Sequence, residues 1–104
     1  MRSASTEQSR SLAVERVELR GEYDLARKEE LAAFLAAVTG TKPVVLDMTR
    51  VSYVDSSFLN ELSHLRSRLQ NSQITLQGVN AQLRRVLSLM RFDSIFDIED
   101  GQPG

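Results

Sequence analysis

Over residues 13–20 apolar and polar side chains alternate, with Val17 and Leu19 standing between Arg16, Glu18 and Arg20. A period of two predicts a strand with one buried and one wet face. Gly21-Glu22-Tyr23-Asp24 is expected to end it in a turn. Leu31, Phe34, Leu35 and Val38 then come at the i, i+3, i+4, i+7 spacing of an amphipathic helix, and Gly40 stands where a C-terminal glycine belongs. Val44-Val45-Leu46 is a short continuous apolar run, the pattern of a central strand covered on both faces. Asp47-Met48-Thr49-Arg50 leaves that strand, and Val51-Ser52-Tyr53-Val54 leads extended towards Asp55-Ser56-Ser57. Leu59, Leu62, Leu65 and Leu69 are the apolar stripe of a helix over 57–70, which Asn71-Ser72 breaks. Ile74 and Leu76 alternate with Thr75 and Gln77 in a further strand over 73–78. Leu83, Val86, Leu87 and Met90 repeat the spacing of the first helix, and Phe92, Ile95, Phe96 and Ile98 form a last apolar patch.

The order strand, helix, strand, helix, strand, helix argues for a sheet with parallel neighbours and helices packed against it. Leu31, Phe34, Leu35, Val45, Leu46, Leu59, Leu62, Ile74, Leu76, Val86 and Leu87 are the expected shared core. Residues 1–11 are Ser-, Arg- and Gln-rich and read as a mobile tail, part of which could form a short leading strand. A single domain is expected over 12–99, with 100–104 as a frayed end.

Composition narrows the function more than the fold. Of 104 residues, 41% are hydrophobic and 26% charged, which is enough apolar material for a core. Thirteen Lys and Arg against fourteen Asp and Glu leave a net charge of −1, so no electrostatic excess recommends a nucleic acid or an anionic membrane as partner. The absence of cysteine removes disulfide scaffolds, thiolate metal sites and cysteine nucleophiles. A lone histidine cannot build a multi-histidine site. No apolar run is long enough for a membrane span or a signal peptide, and a cytoplasmic domain is expected.

Asp55-Ser56-Ser57 is the one segment that stands out. Asp and Ser oxygens accept the unpaired amides of a first helical turn, so on residue type alone the triplet reads as a helix cap. A serine hydrolase fails on spacing. His64 lies eight residues beyond Ser56, about 12 Å along a helix axis, whereas a general base must come within about 3.2 Å of its nucleophile. Neither a Gly-x-Ser-x-Gly elbow nor a phosphate-binding glycine loop occurs, so no enzyme activity and no cofactor are expected. Asp24, Asp47 and Asp55 each sit where a strand or turn meets a loop, and could converge at one end of the sheet as a cation or small-ligand site. Solvated carboxylates are the plainer reading. Arg66-x-Arg68 and Arg84-Arg85 are expected on solvated helix faces.

These residues resemble a known family. Val44-Val45-Leu46-Asp47-Met48, with Val51-Ser52-Tyr53-Val54-Asp55-Ser56-Ser57 after it, is similar to the central signature of STAS domains, specifically of bacterial anti-sigma factor antagonists. Gly21-Glu22-Tyr23-Asp24 resembles the family's Gly-Glu-x-Asp turn. Val79-Asn80, Leu83-Arg84-Arg85-Val86-Leu87 and Phe92-Asp93 resemble its third-helix region. The resemblance implies an α/β fold with a small mixed sheet of four to five strands and three main helices packed largely on one side. It implies binding to an anti-sigma factor that is itself a serine protein kinase, with Ser56 as the phosphorylation site. Asp24, Asp55, Ser56, Ser57, Phe58 and Asn60 would form the partner-binding surface of a monomer or weak dimer. Where the family continues Ser-Gly-Leu-Gly, this chain has Ser57-Phe58-Leu59-Asn60. Phe58 would then either clash with a standard partner or anchor a different one, and Phe58→Gly should change affinity more than folding. Two other readings stay open: an adaptor subunit of a transporter or stress-signalling complex in which Ser56 is only a cap, and a small-ligand or nucleotide sensor.

Overall fold

The computed structural model describes residues 14–101. Four strands, β1 (Glu15–Tyr23), β2 (Val44–Val54), β3 (Ile74–Val79) and β4 (Asp97–Asp100), alternate with three helices, α1 (Lys28–Ala36), α2 (Ser56–Arg68) and α3 (Ala81–Leu89). Short 3-10 turns at Leu25–Arg27 and Phe92–Ser94 lead into α1 and β4. The strands lie in the order β1-β2-β3-β4 and all three pairings are parallel. Successive parallel neighbours that step in one direction through right-handed crossovers carry their helices over the same face. That face is the core: Leu19, Tyr23, Leu46, Met48, Ile74 and Leu76 from the sheet meet Leu31, Leu35, Phe58, Leu62 and Leu87 from the helices, all of them buried. The chain thus has the expected α/β architecture and four strands. Among the described residues, however, the sheet is wholly parallel instead of the expected mixed one, because a helical crossover joins each strand to the next. The leading strand considered within 1–11 lies outside the described residues, as does the expected mobile tail.

Among the described residues no second layer covers the other face, which is uncommon for parallel strands. Val45 is therefore only half-buried, not covered on both sides as its apolar run suggests. In place of a second helical layer, a polar ladder crosses the sheet. Arg16 on β1 donates to the Asp47 carboxylate at 2.9 Å and to Gln77 Oε1 at 2.7 Å. Gln77 donates in turn to Glu99 on β4, and Gln73 donates to Asp97.

Several expected boundaries move, each for a local reason. β1 does not stop at Gly21. Gly21 adopts φ +80, β2 takes an extra residue opposite it at Ser52, and the ladder continues as far as Tyr23–Val54. β2 continues through Asp47–Arg50 with one extra residue there, which lets both Met48 and Val51 face the core. Asp100, expected to be frayed, is paired in β4 together with Glu99, and the Gly101 amide donates to the Val79 carbonyl. Phe34 is 44% exposed, since it sits about 60° around the helix from Leu31 while Leu31, Leu35 and Val38 hold the inward row. Val86 is half-buried for a similar reason, and Met90 is exposed.

Of the arginines of α2, Arg68 is exposed as expected and Arg66 half-buried, but neither is free in solvent. Arg68 donates to the Leu35 and Val38 carbonyls at the end of α1, at 2.7 and 3.0 Å. Arg66 donates to the Leu69, Ser72 and Ile95 carbonyls. Helix ends leave four carbonyls without intrahelical partners, and these two side chains help to satisfy them. Arg84 pairs with Asp100 at 2.6 Å, while Arg85 stays exposed as expected.

Gly78, with φ +75, lets β3 pass close to β2, since a Cβ there would lie 3.1 Å from Thr49 Cα. Gly78→Ala should lower stability by roughly 1–3 kcal/mol, read as an earlier urea midpoint at unchanged slope. A pH effect is expected from Asp47, whose carboxyl the Thr49 hydroxyl and amide, and then Arg16, hold below its usual range. A depressed folded-state pKa adds stability above the unfolded value, and that stability is lost as pH falls through the folded one. Asp47→Asn should therefore be less stable than the native chain at pH 7, with the gap closing in acid. A gap that widened below about pH 4, the ordinary carboxylate range, would contradict this assignment.

Candidate functional site

Because β1, β2 and β3 are parallel neighbours, all three end at one edge of the sheet, and each hands over to a residue that caps the next turn. Asp24 after β1 accepts the Ala26 amide at 3.1 Å. Asp55 after β2 accepts the Ser57 amide at 2.9 Å and the Phe58 amide at 3.4 Å. Asn80 after β3 accepts the Leu83 amide at 2.8 Å. Short polar side chains with extended backbone are the usual solution to the unpaired donors of a first turn, and Asp24 and Asp55 share nearly the same φ and ψ. The Asp55 amide also donates to the Tyr23 carbonyl, at 3.1 Å, which ties the first two corners together.

Ser56 is the first residue of α2 and is exposed. Ser57 is half-buried, and Asn60, one turn further along the same side as Ser56, is exposed. The structure thus brings Asp24, Asp55, Ser56, Ser57 and Asn60 to one edge. Asp47 is elsewhere, on the open face of the sheet, so the three aspartates do not converge. Among the described residues no group of three or more Asp, Glu, His or Cys is placed to hold a metal ion. His64 is exposed on α2.

Phe58 overturns its expectation. Its side chain is 0% exposed, with its ring centroid 5.5 Å from that of Tyr23. At the third position of the helix it points down into the core, so it neither meets a partner nor clashes with one. The Arg27 guanidinium lies over the same Tyr23 ring at 4.2 Å. Arg27 also donates to the Arg20 and Glu22 carbonyls on either side of Gly21, at 2.8 and 3.0 Å, and pairs with Glu30 at 2.7 Å. Tyr23 Oη accepts the Arg20 amide at 3.0 Å. A stack of Arg27, Tyr23 and Phe58 therefore fixes the end of β1 around Gly21, the Asp24 turn and the start of α2 as one body. The alternation of Tyr23 with Gly21 and Leu19 hints at its inward face; nothing local in the sequence signals Arg27.

Beside this edge a cavity of about 60 Å³ opens between the end of β2 and α3, lined by Val51, Tyr53, Val54, Gln82, Leu83 and Val86 among others. Tyr53 is 52% exposed there.

Two substitutions separate capping from packing. Asp55→Ala should cost about 1 kcal/mol. Phe58→Gly should cost roughly 3–5 kcal/mol for the lost ring, with about 1 more for glycine within a helix. Thermal unfolding in which the two variants were equally stable would contradict the buried stack.

Comparison with known proteins agrees with this geometry. A STAS-domain containing protein of Pseudomonas aeruginosa is 26% identical over 85 residues, covering 79% of this chain and 84% of its own. A sulfate transporter family protein from Wolinella succinogenes superposes with a TM-score of 0.70 at 22% identity, covering 86% and 79% of the two chains. A putative anti-sigma factor antagonist from Thermotoga maritima gives 0.69 at 22%, covering 82% and 79%. The anti-sigma factor antagonist SpoIIAA in its unphosphorylated form gives 0.62 at 21%, covering 86% and 82%. The family described as "Mlab, STAS domain" matches residues 6–98, so the chain belongs to the STAS domain family.

Proposed function

We propose that the chain is an anti-sigma factor antagonist: a binding module, not an enzyme, that docks a serine-kinase anti-sigma factor through the Ser56 edge and is switched off by phosphorylation of Ser56. The observation that carries this reading is the exposed Ser56 hydroxyl on a first turn whose Ser57 and Phe58 amides are already taken by Asp55. A phosphate on Ser56 would add roughly −1.5 to −2 charge beside a carboxylate, with those two amides already occupied. The fold has no reason to rearrange around it. The docking surface gains negative charge instead, and one misplaced charge can cost a partner a few kcal/mol, or more than a hundredfold in affinity. Asp24, Asp55, Ser57 and Asn60 complete the surface in this proposal. Phe58 supports it from below.

The adaptor reading keeps one specific support, the superposition on the sulfate transporter family protein over 86% of the chain. In that case the same edge would dock a transporter component and Ser56 would act only as the first residue of α2. The sensor reading loses its basis with Asp47 on the other face. The proposed module would work in the cytoplasm as a monomer or weak dimer. Among the described residues no helix is long and apolar enough to cross a membrane.

Incubation with the cognate anti-sigma factor and ATP, then mass spectrometry, tests the proposal. Phosphate is expected on Ser56 and not on Ser57, which points about 100° away around the helix and is half-buried. Ser56→Ala should bind without being modified, and Ser56→Asp should fail to bind. Tight binding with no phosphate on Ser56 would favour the adaptor.

A further inference from the structure

β2 outruns its neighbour. Val44–Asp47 pairs with β3, but beyond Asp47 the strand has no ladder partner on that side among the described residues, although it remains paired with β1 to Val54. Its last four residues, Val51-Ser52-Tyr53-Val54, thus present a free strand edge. Proteins guard such edges with charge, proline or a covering element, because unpaired main-chain groups invite another strand. The outer edge strand β4 is guarded in this way by Asp97, Glu99 and Asp100. The 51–54 edge carries neither charge nor proline and displays a half-exposed Tyr53. It also faces a cavity of about 60 Å³, walled on the far side by Gln82, Leu83 and Val86 of α3, which is room for a small aliphatic side chain.

We propose that this groove between the end of β2 and α3 receives an extended segment of the partner protein by strand addition. Main-chain hydrogen bonds to 51–54 would supply affinity, and a small aliphatic side chain in the cavity would supply selectivity. The lining contains no charged residue, so the segment that fits is uncharged where it crosses the groove. Val54 leads directly into Asp55 and Ser56, so a partner reading Ser56 passes the mouth of the groove. The assignment rests on the anti-sigma factor reading for the identity of the partner.

Hydrogen exchange on the full chain, alone and with the cognate anti-sigma factor, tests it without mutation. Exchange of the 51–54 amides that point away from β1 should slow at least ~10-fold in the complex, the mark of new main-chain hydrogen bonds. Val86→Trp, which fills the cavity, should weaken binding by a similar factor. Tyr53→Glu, at an exposed ring, should do the same should Val86→Trp fail to fold. If a complex forms and Ser56→Asp abolishes it, yet exchange at 51–54 is unchanged, the groove assignment is overturned and the functional reading stands. If groove variants weaken a complex in which Ser56 is neither modified nor sensitive to Asp, the groove stands and the switch falls. No complex at all removes both. Slow exchange, in the free protein, of the 51–54 amides that point away from β1 also overturns the assignment: if it persists on dilution, the chain's own residues fill the groove, and if it is lost, a second copy does.

Discussion

Parallel strands side by side must all end at the same edge, and here each of the first three hands over to a helical turn as it ends. That constraint gathers the unpaired first-turn amides of three turns at one end of the sheet, those after β1 and β2 side by side and those after β3 set back where β2 outruns it. Asp24, Asp55 and Asn80 meet it with short polar side chains, one at each corner, and leave the exposed Ser56 next to Asp55 uncommitted. Capping and function therefore share residues. Asp55 cannot be changed without disturbing both the start of α2 and the surface that a partner would read. The same constraint makes a phosphate on Ser56 a surface event, since two of the amides that would welcome an anion at a helix start are already engaged.

Beneath this edge Phe58, at the position where the resembled signature has glycine, stacks with Tyr23, and Arg27 lies over the Tyr23 ring. A glycine allows close backbone approach, whereas Phe58 fills the space under the turn with a ring held between the core and Tyr23. Arg27 closes the arrangement on the solvent side, donating to the carbonyls on either side of Gly21. The result is a rigid corner in which two strands, one turn and one helix are tied together.

Much of this is legible in the residues. The alternation of Val17 and Leu19, the leucine stripe of α2 and the Asp55 cap place the elements, and the order and spacing of the signature segments point to the family. The features that local pattern misses depend on long-range partners. Val45 looks central until the open face is seen, because an apolar run does not say whether a second layer exists. Arg66 and Arg68 look solvated, since the carbonyls they cap belong to loops and to α1, 29 and 33 residues away for the farthest bonds. Phe58 looks like a surface anchor because its depth is set by Tyr23, a residue of another element. Asp100 looks frayed, yet its charge is that of a guarded edge strand.

In the proposed switch, phosphorylation of Ser56 alters the edge's binding and leaves the folding of the chain unchanged. Calorimetric titration of the cognate anti-sigma factor with the Ser56-phosphorylated and unmodified chains, alongside their thermal unfolding, tests this most directly. The predicted result is a loss of affinity of about a hundredfold or more with unfolding temperatures that agree closely. Equal affinities, or a loss of affinity accompanied by a large fall in stability, would contradict it.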